Sequence, residues 1–231
     1  NVPISKLMDF EYNQQRSSNI NLEKSTPSDS ISHGLFTESE SEETTHFSIL
    51  DNTGNAVSVT TTLNTSYGSK VFVNERGFLL NNEMDDFSSK AGQPNNYGLI
   101  GSEANAIEPE KRMLSSMTPT IVEKKENVFL IVGSPGGSTI ITSVFQTILN
   151  VILFEMDIQS AVNTPRFHHQ WKPEKIYIEE ELYSDSLKHI LHNMGHRIHQ
   201  RTSIGHVNAI MYENNLISTG ADKRGDNTAD V

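Results

Sequence analysis

The chain has 231 residues, no Cys, and 18 basic against 29 acidic residues, for a formal net charge of −11. That length suits one domain of above-average size or at most two small ones, and the absence of Cys excludes disulfides, thiolate metal sites and a Cys nucleophile together. An isoelectric point near 5.2 argues against nucleic acid or anionic lipid as partner, and no apolar run approaches the roughly 18 to 20 residues that span a bilayer, so the sequence reads as soluble.

The start of the chain is unlike the rest. It opens at Asn1 rather than Met, with neither a basic n-region nor an apolar h-region, and is read as a piece of a longer product. Ile4 to Gln15 carries Leu7, Met8, Phe10 and Tyr12 among polar residues and predicts a short amphipathic helix. Ser25 to Glu43 then turns polar, Ser-rich and acidic, ending in T-E-S-E-S-E-E at 37 to 43. Residues 1 to 43 hold 8 of the 29 acids and 3 of the 18 bases, a linker by composition.

From Thr44 the pattern changes. Alternation over Thr45 to Leu50, turn residues at Asp51 to Asn55 and renewed alternation over Ala56 to Leu63 predict a β-hairpin that begins directly at Thr44. Gly77 to Leu80 and Val128 to Val132 are short apolar strands, the second running into Gly133-Ser134-Pro135-Gly136-Gly137-Ser138. Thr139 to Met156, apolar nearly all round, predicts a buried helix. A short helix follows over Ile158 to Asn163, then a strand at Lys175 to Ile178 and a helix over Ser184 to Met194 that Gly195 stops. Val207 to Tyr212 and Leu216 to Thr219 close the chain as a hairpin across Asn214-Asn215. Strands flanking a two-helix segment, with antiparallel hairpins at both ends, predict an α+β fold: helices packed on a largely antiparallel sheet system.

Several residue groups could carry chemistry. The glycines of 133 to 138 let the backbone approach a ligand, and the following helix offers free N–H groups, which suits an oxyanion; a plain strand-to-helix turn has the same pattern. No Gly-Lys-Ser/Thr follows, so it is not a phosphate P-loop. His189, His192, His196 and His199 invite a metal reading, but only His189 and His192 share a helix face, and surface histidines are the simpler account. His168 and His169 point different ways, as a packed or hydrogen-bonded pair would. Asp85 and Asp86 are adjacent, so on a strand they would face opposite sides; they are a poor glycosidase pair, though one could hold a cationic group. Ser115-Ser116 offers hydroxyls to a carboxylate, or is an ordinary loop. A flexible linker running into a strand that opens Thr-Thr has the form of an autocleavage junction. Thr at a new N-terminus is a nucleophile with its own base, the α-amine of pKa roughly 7.7 to 8.0. A mere linker-to-domain boundary would have the same composition.

Six motifs decide among these alternatives: T-T-H-F-S at 44 to 48, D-N-T-G-N-A-V-S-V-T at 51 to 60, L-L-N-N-E-M-D-D-F-S at 79 to 88, L-S-S-M-T-P-T at 114 to 120, G-S-P-G-G-S at 133 to 138 and P-R-F-H-H-Q-W at 165 to 171. In these the chain resembles the C-terminal part of a γ-glutamyltranspeptidase precursor, a family of N-terminal-nucleophile hydrolases. The resemblance implies a four-layer αββα sandwich, of which this chain supplies the small-subunit part. It further implies cleavage between Glu43 and Thr44, separating the large-subunit tail (1–43) from the small catalytic subunit (44–231). Thr44 would be the nucleophile in both processing and catalysis, with Thr62 hydrogen-bonded to it. Asn64, Glu83 and Asp86 would hold the substrate α-amino group, Glu83 standing where many bacterial relatives carry Gln. Ser115 and Ser116 would hold the α-carboxylate, Gly136 and Gly137 would supply the oxyanion hole, and Tyr97 matches a lid over the site. An Arg that clamps the α-carboxylate belongs to the large subunit and lies outside this chain.

The implied activity is that of a γ-glutamyl transferase and glutathione hydrolase, needing no cofactor or metal. Its partners would be the large subunit of the same precursor, glutathione or another γ-glutamyl donor, and an amino acid, peptide or water as acceptor. The implied location is periplasmic or secreted. The rival expectations are a related acylase acting on a cephalosporin side chain, a poly-γ-glutamate-processing enzyme, and a catalytically silent half of a heterodimer.

Overall fold

The computed structural model describes residues 4–31, 43–88, 101 and 103–230. The N-terminal stretch forms two short helices, α1 (Ile4–Leu7) and α2 (Phe10–Ser17), the second capped by the Asp9 carboxylate accepting from the Tyr12 N–H at 2.7 Å. Neither helix buries a residue, so the amphipathic stripe finds no partner among the described residues. The chain is tied down further on. Ser25 N–H donates to the Met194 carbonyl, Ser28 N–H to Glu174, and the Trp171 indole N–H to the Ser28 carbonyl.

The junction hairpin is β1 (Glu43–Leu50) against β2 (Ala56–Asn64), antiparallel, with its turn closed by Asp51 accepting from Thr53 and Asn55. A two-residue ribbon, β3 (Phe72–Val73) with β4 (Phe78–Leu79), leads into a 3-10 turn at Glu83–Asp86. Asp85 and Asp86 therefore lie on a turn and not on a strand: Asp86 is buried and Asp85 half-buried.

The central sheet has the order β11-β10-β6-β5, all antiparallel, built from β5 (Thr120–Lys124), β6 (Asn127–Gly133), β10 (Asn208–Glu213) and β11 (Leu216–Ala221). Against it pack α3 (Thr139–Ile152) and α4 (Ile158–Asn163), and the core gathers Leu130, Val132, Ile140, Val144, Val162 and Val207. The buried-helix expectation for 139 to 156 is corrected on two counts. The helix ends at Ile152, and it buries one face only: Ile140, Val144 and Val151 turn inward, while Ile141 and Phe145 stay exposed, Phe145 at 58%. An apolar residue on a helix is buried only where another element covers that face, which residue type alone does not reveal.

A third sheet joins β7 (Phe167–His168) and β8 (Ile176–Glu179) antiparallel and β8 to β9 (Ile198–Arg201) parallel, the last two bridged by α5 (Asp185–Asn193). The strand pairings are otherwise antiparallel, as expected from the sequence; this one is parallel because a helix crossover returns the chain in the same direction. Beneath it lies a desolvated charge cluster: Arg166 to Asp222 at 2.8 Å, Arg224 to Asp222 at 2.9 Å and Arg224 to Glu179 at 2.6 Å.

Candidate active site

Thr44 lies at the start of β1 directly opposite Thr62 on β2. The register slips between Glu43 and Thr44: Glu43 pairs with Asn64 and Thr44 with Thr62, leaving Leu63 over, so a bulge on β2 lies opposite the peptide bond of the expected junction. Past the bulge Asn64 is fully buried with φ 77, a left-handed conformation that Asn tolerates better than most residues. Its N–H donates to the Thr62 hydroxyl at 2.8 Å and its Nδ2 to the Asn82 carbonyl at 3.1 Å, while its Oδ1 is buried with no hydrogen-bond partner among the described residues. An amide oxygen left in that state is a ready acceptor for an incoming N–H donor.

The hairpin meets the central sheet through His46. Its ring is buried, with Nδ1 at 2.8 Å from the Thr60 hydroxyl and Nε2 at 3.1 Å from the Ser48 hydroxyl, and burial lowers its pKa to about 4. The imidazole is thus neutral at ordinary pH. It lies flush on Gly133, the last residue of β6, where any Cβ would overlap the ring. Ser58 adds a hydrogen bond to the Val132 carbonyl at 3.3 Å. Two residues before His46 is Thr44, and three residues after Gly133 is Gly136.

The Gly133–Ser138 segment is the strand-to-helix turn expected from its sequence. Gly136 has φ 131 and Gly137 φ 56, both unfavourable for a side chain, and a Cβ at Gly136 would sit 2.6 Å from Thr139 Oγ1 and 3.1 Å from the Gly205 Cα. The carbonyls of Gly136 and Gly137 accept from the N–H groups of Thr139 and Ile140, opening α3. Separately, neither glycine N–H makes a backbone hydrogen bond among the described residues. Ser134 Oγ accepts from the His206 N–H at 2.9 Å and fixes the turn from behind.

The third part is a pair of polar segments. Glu83 and Asp86 share the 3-10 turn, whose entry is set by Asn81 Oδ1 accepting from the Glu83 N–H at 3.0 Å. Burial, the charge of Asp86 and a hydrogen bond to it push the Glu83 pKa up to about 7. Ser115 is exposed and accepts from the Met117 N–H at 3.2 Å; Ser116 is buried. The two segments are joined through Asn105, whose Nδ2 donates to the Asp86 carbonyl at 2.7 Å and whose Oδ1 accepts from the Leu114 N–H at 3.0 Å.

The structure thus brings Thr44, Thr62 and Asn64 onto one end of the hairpin, and Glu83, Asp86, Ser115 and Ser116 into one wired segment pair. Asn64 and Asn82 connect the two. Tyr97 lies outside the described residues, and of Glu43 only the backbone is described. Among the described residues no three His, Cys, Asp or Glu side chains converge as metal ligands. His168 is buried between Thr142 and Gln170 while His169 is exposed. Sequence reasoning assigned no role to His46, Asn82 or Asn105. The N-N doublet within L-L-N-N-E-M-D-D was the one available signal, since side-chain amides next to a turn commonly bond backbone. Among the described residues no helix is long and apolar enough to cross a membrane.

Residues 1–231 match the sequence model of the family described as gamma-glutamyltranspeptidase. The chain is 45% identical over 210 residues to the glutathione hydrolase proenzyme of Escherichia coli K12, an alignment covering 91% of this chain and 36% of that protein. It spans little more than a third of the length of the curated relatives it matches first. Among solved structures, γ-glutamyltranspeptidase from Pseudomonas nitroreducens complexed with L-DON superposes with a TM-score of 0.77 at 46% identity, covering 81% of this chain and 98% of that one. An acivicin-inhibited γ-glutamyltranspeptidase, described as having critical roles for its C-terminus in autoprocessing and catalysis, matches at TM-score 0.76 and 52% identity over 79% of this chain and 99% of that one. The α+β fold, the junction hairpin and the match along the whole length agree: the chain belongs to the γ-glutamyltranspeptidase family.

Proposed function

We propose that this chain is the catalytic part of a γ-glutamyl transferase and glutathione hydrolase whose nucleophile, Thr44, is released by autocleavage of the Glu43–Thr44 bond. The observation that carries the proposal is the break in register opposite that peptide bond, where Leu63 of β2 is left over, in a hairpin locked through His46 and Gly133 to the strand that leads into the Gly136–Gly137 turn. Residues 1–43 are then the tail of the large subunit and 44–231 the small subunit, and the partner is the remainder of the large subunit. The location that the family resemblance implies, periplasmic or secreted, is part of the same reading.

In processing, Thr44 Oγ adds to the Glu43 carbonyl carbon, the C–N bond breaks, and the peptide becomes an ester with a free Thr44 amine. Water then cleaves the ester, leaving a Glu43 carboxylate and the Thr44 hydroxyl. In turnover, Thr44 Oγ adds to the γ-carbonyl of the donor while its own amine takes the hydroxyl proton, directly or through one water. The Gly136 and Gly137 N–H groups hold the oxyanion, a term worth about 2.7 to 4 kcal/mol per donor in comparable sites. Collapse expels the leaving amine, which takes the proton, and water or an amino-acid amine opens the γ-glutamyl ester. Thr62, whose oxygen accepts from Asn64 N–H, keeps its own O–H to donate toward Thr44 Oγ. Asn64 Oδ1, Glu83 and Asp86 offer acceptors and negative charge to the substrate ammonium, and the Ser115 and Ser116 hydroxyls suit its carboxylate.

The test is intact mass spectrometry of the full-length protein after expression. Two fragments, the smaller beginning at Thr44, are expected for the native sequence and a single uncut chain for Thr44→Ala. Cleavage elsewhere, or cleavage that persists in Thr44→Ala, contradicts the proposal.

A further inference from the structure

An α-amino acid head group carries an ammonium and a carboxylate on one carbon, so their separation is fixed by covalent geometry. A site that reads both must hold its two half-sites at an equally fixed spacing, since binding groups displaced by even an ångström lose much of their effect. Here the half-sites come from separate stretches of chain, Glu83–Asp86 and Ser115–Ser116, and no β-ladder pairs one with the other. The spacing needs another source.

Asn105 supplies it. Its side-chain amide is buried, 6% exposed, and uses both ends: Nδ2 on the Asp86 carbonyl at 2.7 Å and Oδ1 on the Leu114 N–H at 3.0 Å, one residue before Ser115. Its backbone carbonyl accepts from the Ser88 N–H at 2.9 Å, and Ala106 bridges to Ser88, so the amide is anchored on the Asp86 side by its own main chain. One planar group thereby sets the distance between the backbone at Asp86 and the backbone at Leu114. A hydroxyl or an aliphatic side chain cannot do the same, because a carboxamide presents its donor and its acceptor on separate corners of a rigid plane.

We infer that Asn105 is a positioning residue for two-point recognition of the substrate's amino-acid head group, an inference that rests on the assignment of Glu83, Asp86, Ser115 and Ser116 proposed above. It touches no substrate. It fixes how far the ammonium half-site stands from the carboxylate half-site.

The test uses the full-length matured protein and two chromogenic anilides, γ-glutamyl and glutaryl, which differ by the α-amino group. The readout is the ratio of their kcat/KM values, which does not depend on the fraction of correctly folded enzyme. Asn105→Ala removes both arms. Asn105→Asp, nearly isosteric, keeps the acceptor facing Leu114 but turns an oxygen on the Asp86 carbonyl, and guards against simple loss of folding. Both variants are expected to lower the γ-glutamyl preference by about 10-fold to 100-fold, through a raised KM for the γ-glutamyl substrate with kcat within about twofold, the size expected when buried hydrogen bonds are broken. An equal fall for both substrates with the ratio unchanged would overturn the inference and leave Asn105 a residue of general stability. Asp86→Asn, run in parallel, separates the two levels. If it abolishes the preference while the Asn105 variants keep it, the inference fails and the head-group assignment stands; if neither it nor the native protein distinguishes the anilides, both fail.

Discussion

Two acidic regions of the molecule are built on opposite electrostatic principles. At the base of the third sheet, Glu179 and Asp222 face Arg166 and Arg224, all nearly inaccessible to water. Burial alone would raise the Asp222 pKa, but the Arg166 charge and the N–H groups of Val207 and Arg224 bring it below the ordinary range. Burial would likewise depress Arg224, and its bonds to Glu179 and Asp222 raise it instead. In the turn at Glu83–Asp86 two carboxylates instead face one another, and Glu83 is pushed up to about 7 by burial and by its neighbour's charge. In the first arrangement every carboxylate is paired with an Arg of the same chain. The second concentrates negative charge that an external cation would relieve, as the ammonium site proposed for it requires.

The comparison breaks most visibly in the cluster. Arg166→Leu leaves Asp222 buried without its closest cation and costs about 3 to 5 kcal/mol in urea unfolding of the full-length protein, with the activity of the folded fraction changed little. A loss below about 1 kcal/mol would mean that the pairing is not structural. Next in size, Gly137→Ala puts a side chain at φ 56 and disturbs the N–H proposed to hold the oxyanion; kcat should fall about 100-fold to 1000-fold with KM nearly unchanged. Unchanged turnover would remove this turn from the mechanism.

Asp86→Asn keeps shape but deletes a charge, and should lower kcat/KM for γ-glutamyl anilide by about 10-fold to 100-fold, as for other charge-assisted hydrogen bonds, while leaving thermal stability equal or higher. A drop in stability of the size predicted for Arg166→Leu would erase the distinction between the regions. The smallest effect concerns pH. Glu83 is protonated below about 7, so KM for an ammonium-bearing donor should fall a few-fold as pH rises through that value, and Glu83→Gln should flatten the profile. The sign for stability is opposite: the folded state keeps this proton above the ordinary glutamate value of 4.5, so Glu83 makes the fold less stable as pH rises from there to about 7. Melting curves of Glu83→Gln across that window should lack this decline.

The junction hairpin and the Gly133–Ser138 turn were legible because both are local: alternation with period two, and glycines where φ must be positive. Family motifs pointed to Thr44, Gly136 and Gly137, and their backbone setting could be anticipated from a few neighbours. The wiring of the head-group region was not, because Asn82 and Asn105 act on Asn64, Asp86 and Leu114 across stretches that no periodicity connects. The charge cluster was hidden for the same reason, its four members being scattered from Arg166 to Arg224. Strand β9 escaped notice because His199 and Gln200 are exposed, leaving no apolar alternation to read. The exposed Ile141 and Phe145 face of α3 shows the converse: apolar pattern identifies a helix, and only packing identifies its buried side.

The central claim is that Thr44 carries the γ-glutamyl group. Its most direct test is to quench the matured full-length protein in acid during turnover of γ-glutamyl anilide and map the modified peptide by tandem mass spectrometry. A γ-glutamyl ester on the hydroxyl of an N-terminal Thr44 is the predicted result; an adduct on Ser115 or Ser116, or steady turnover with Thr44 never modified, would contradict it.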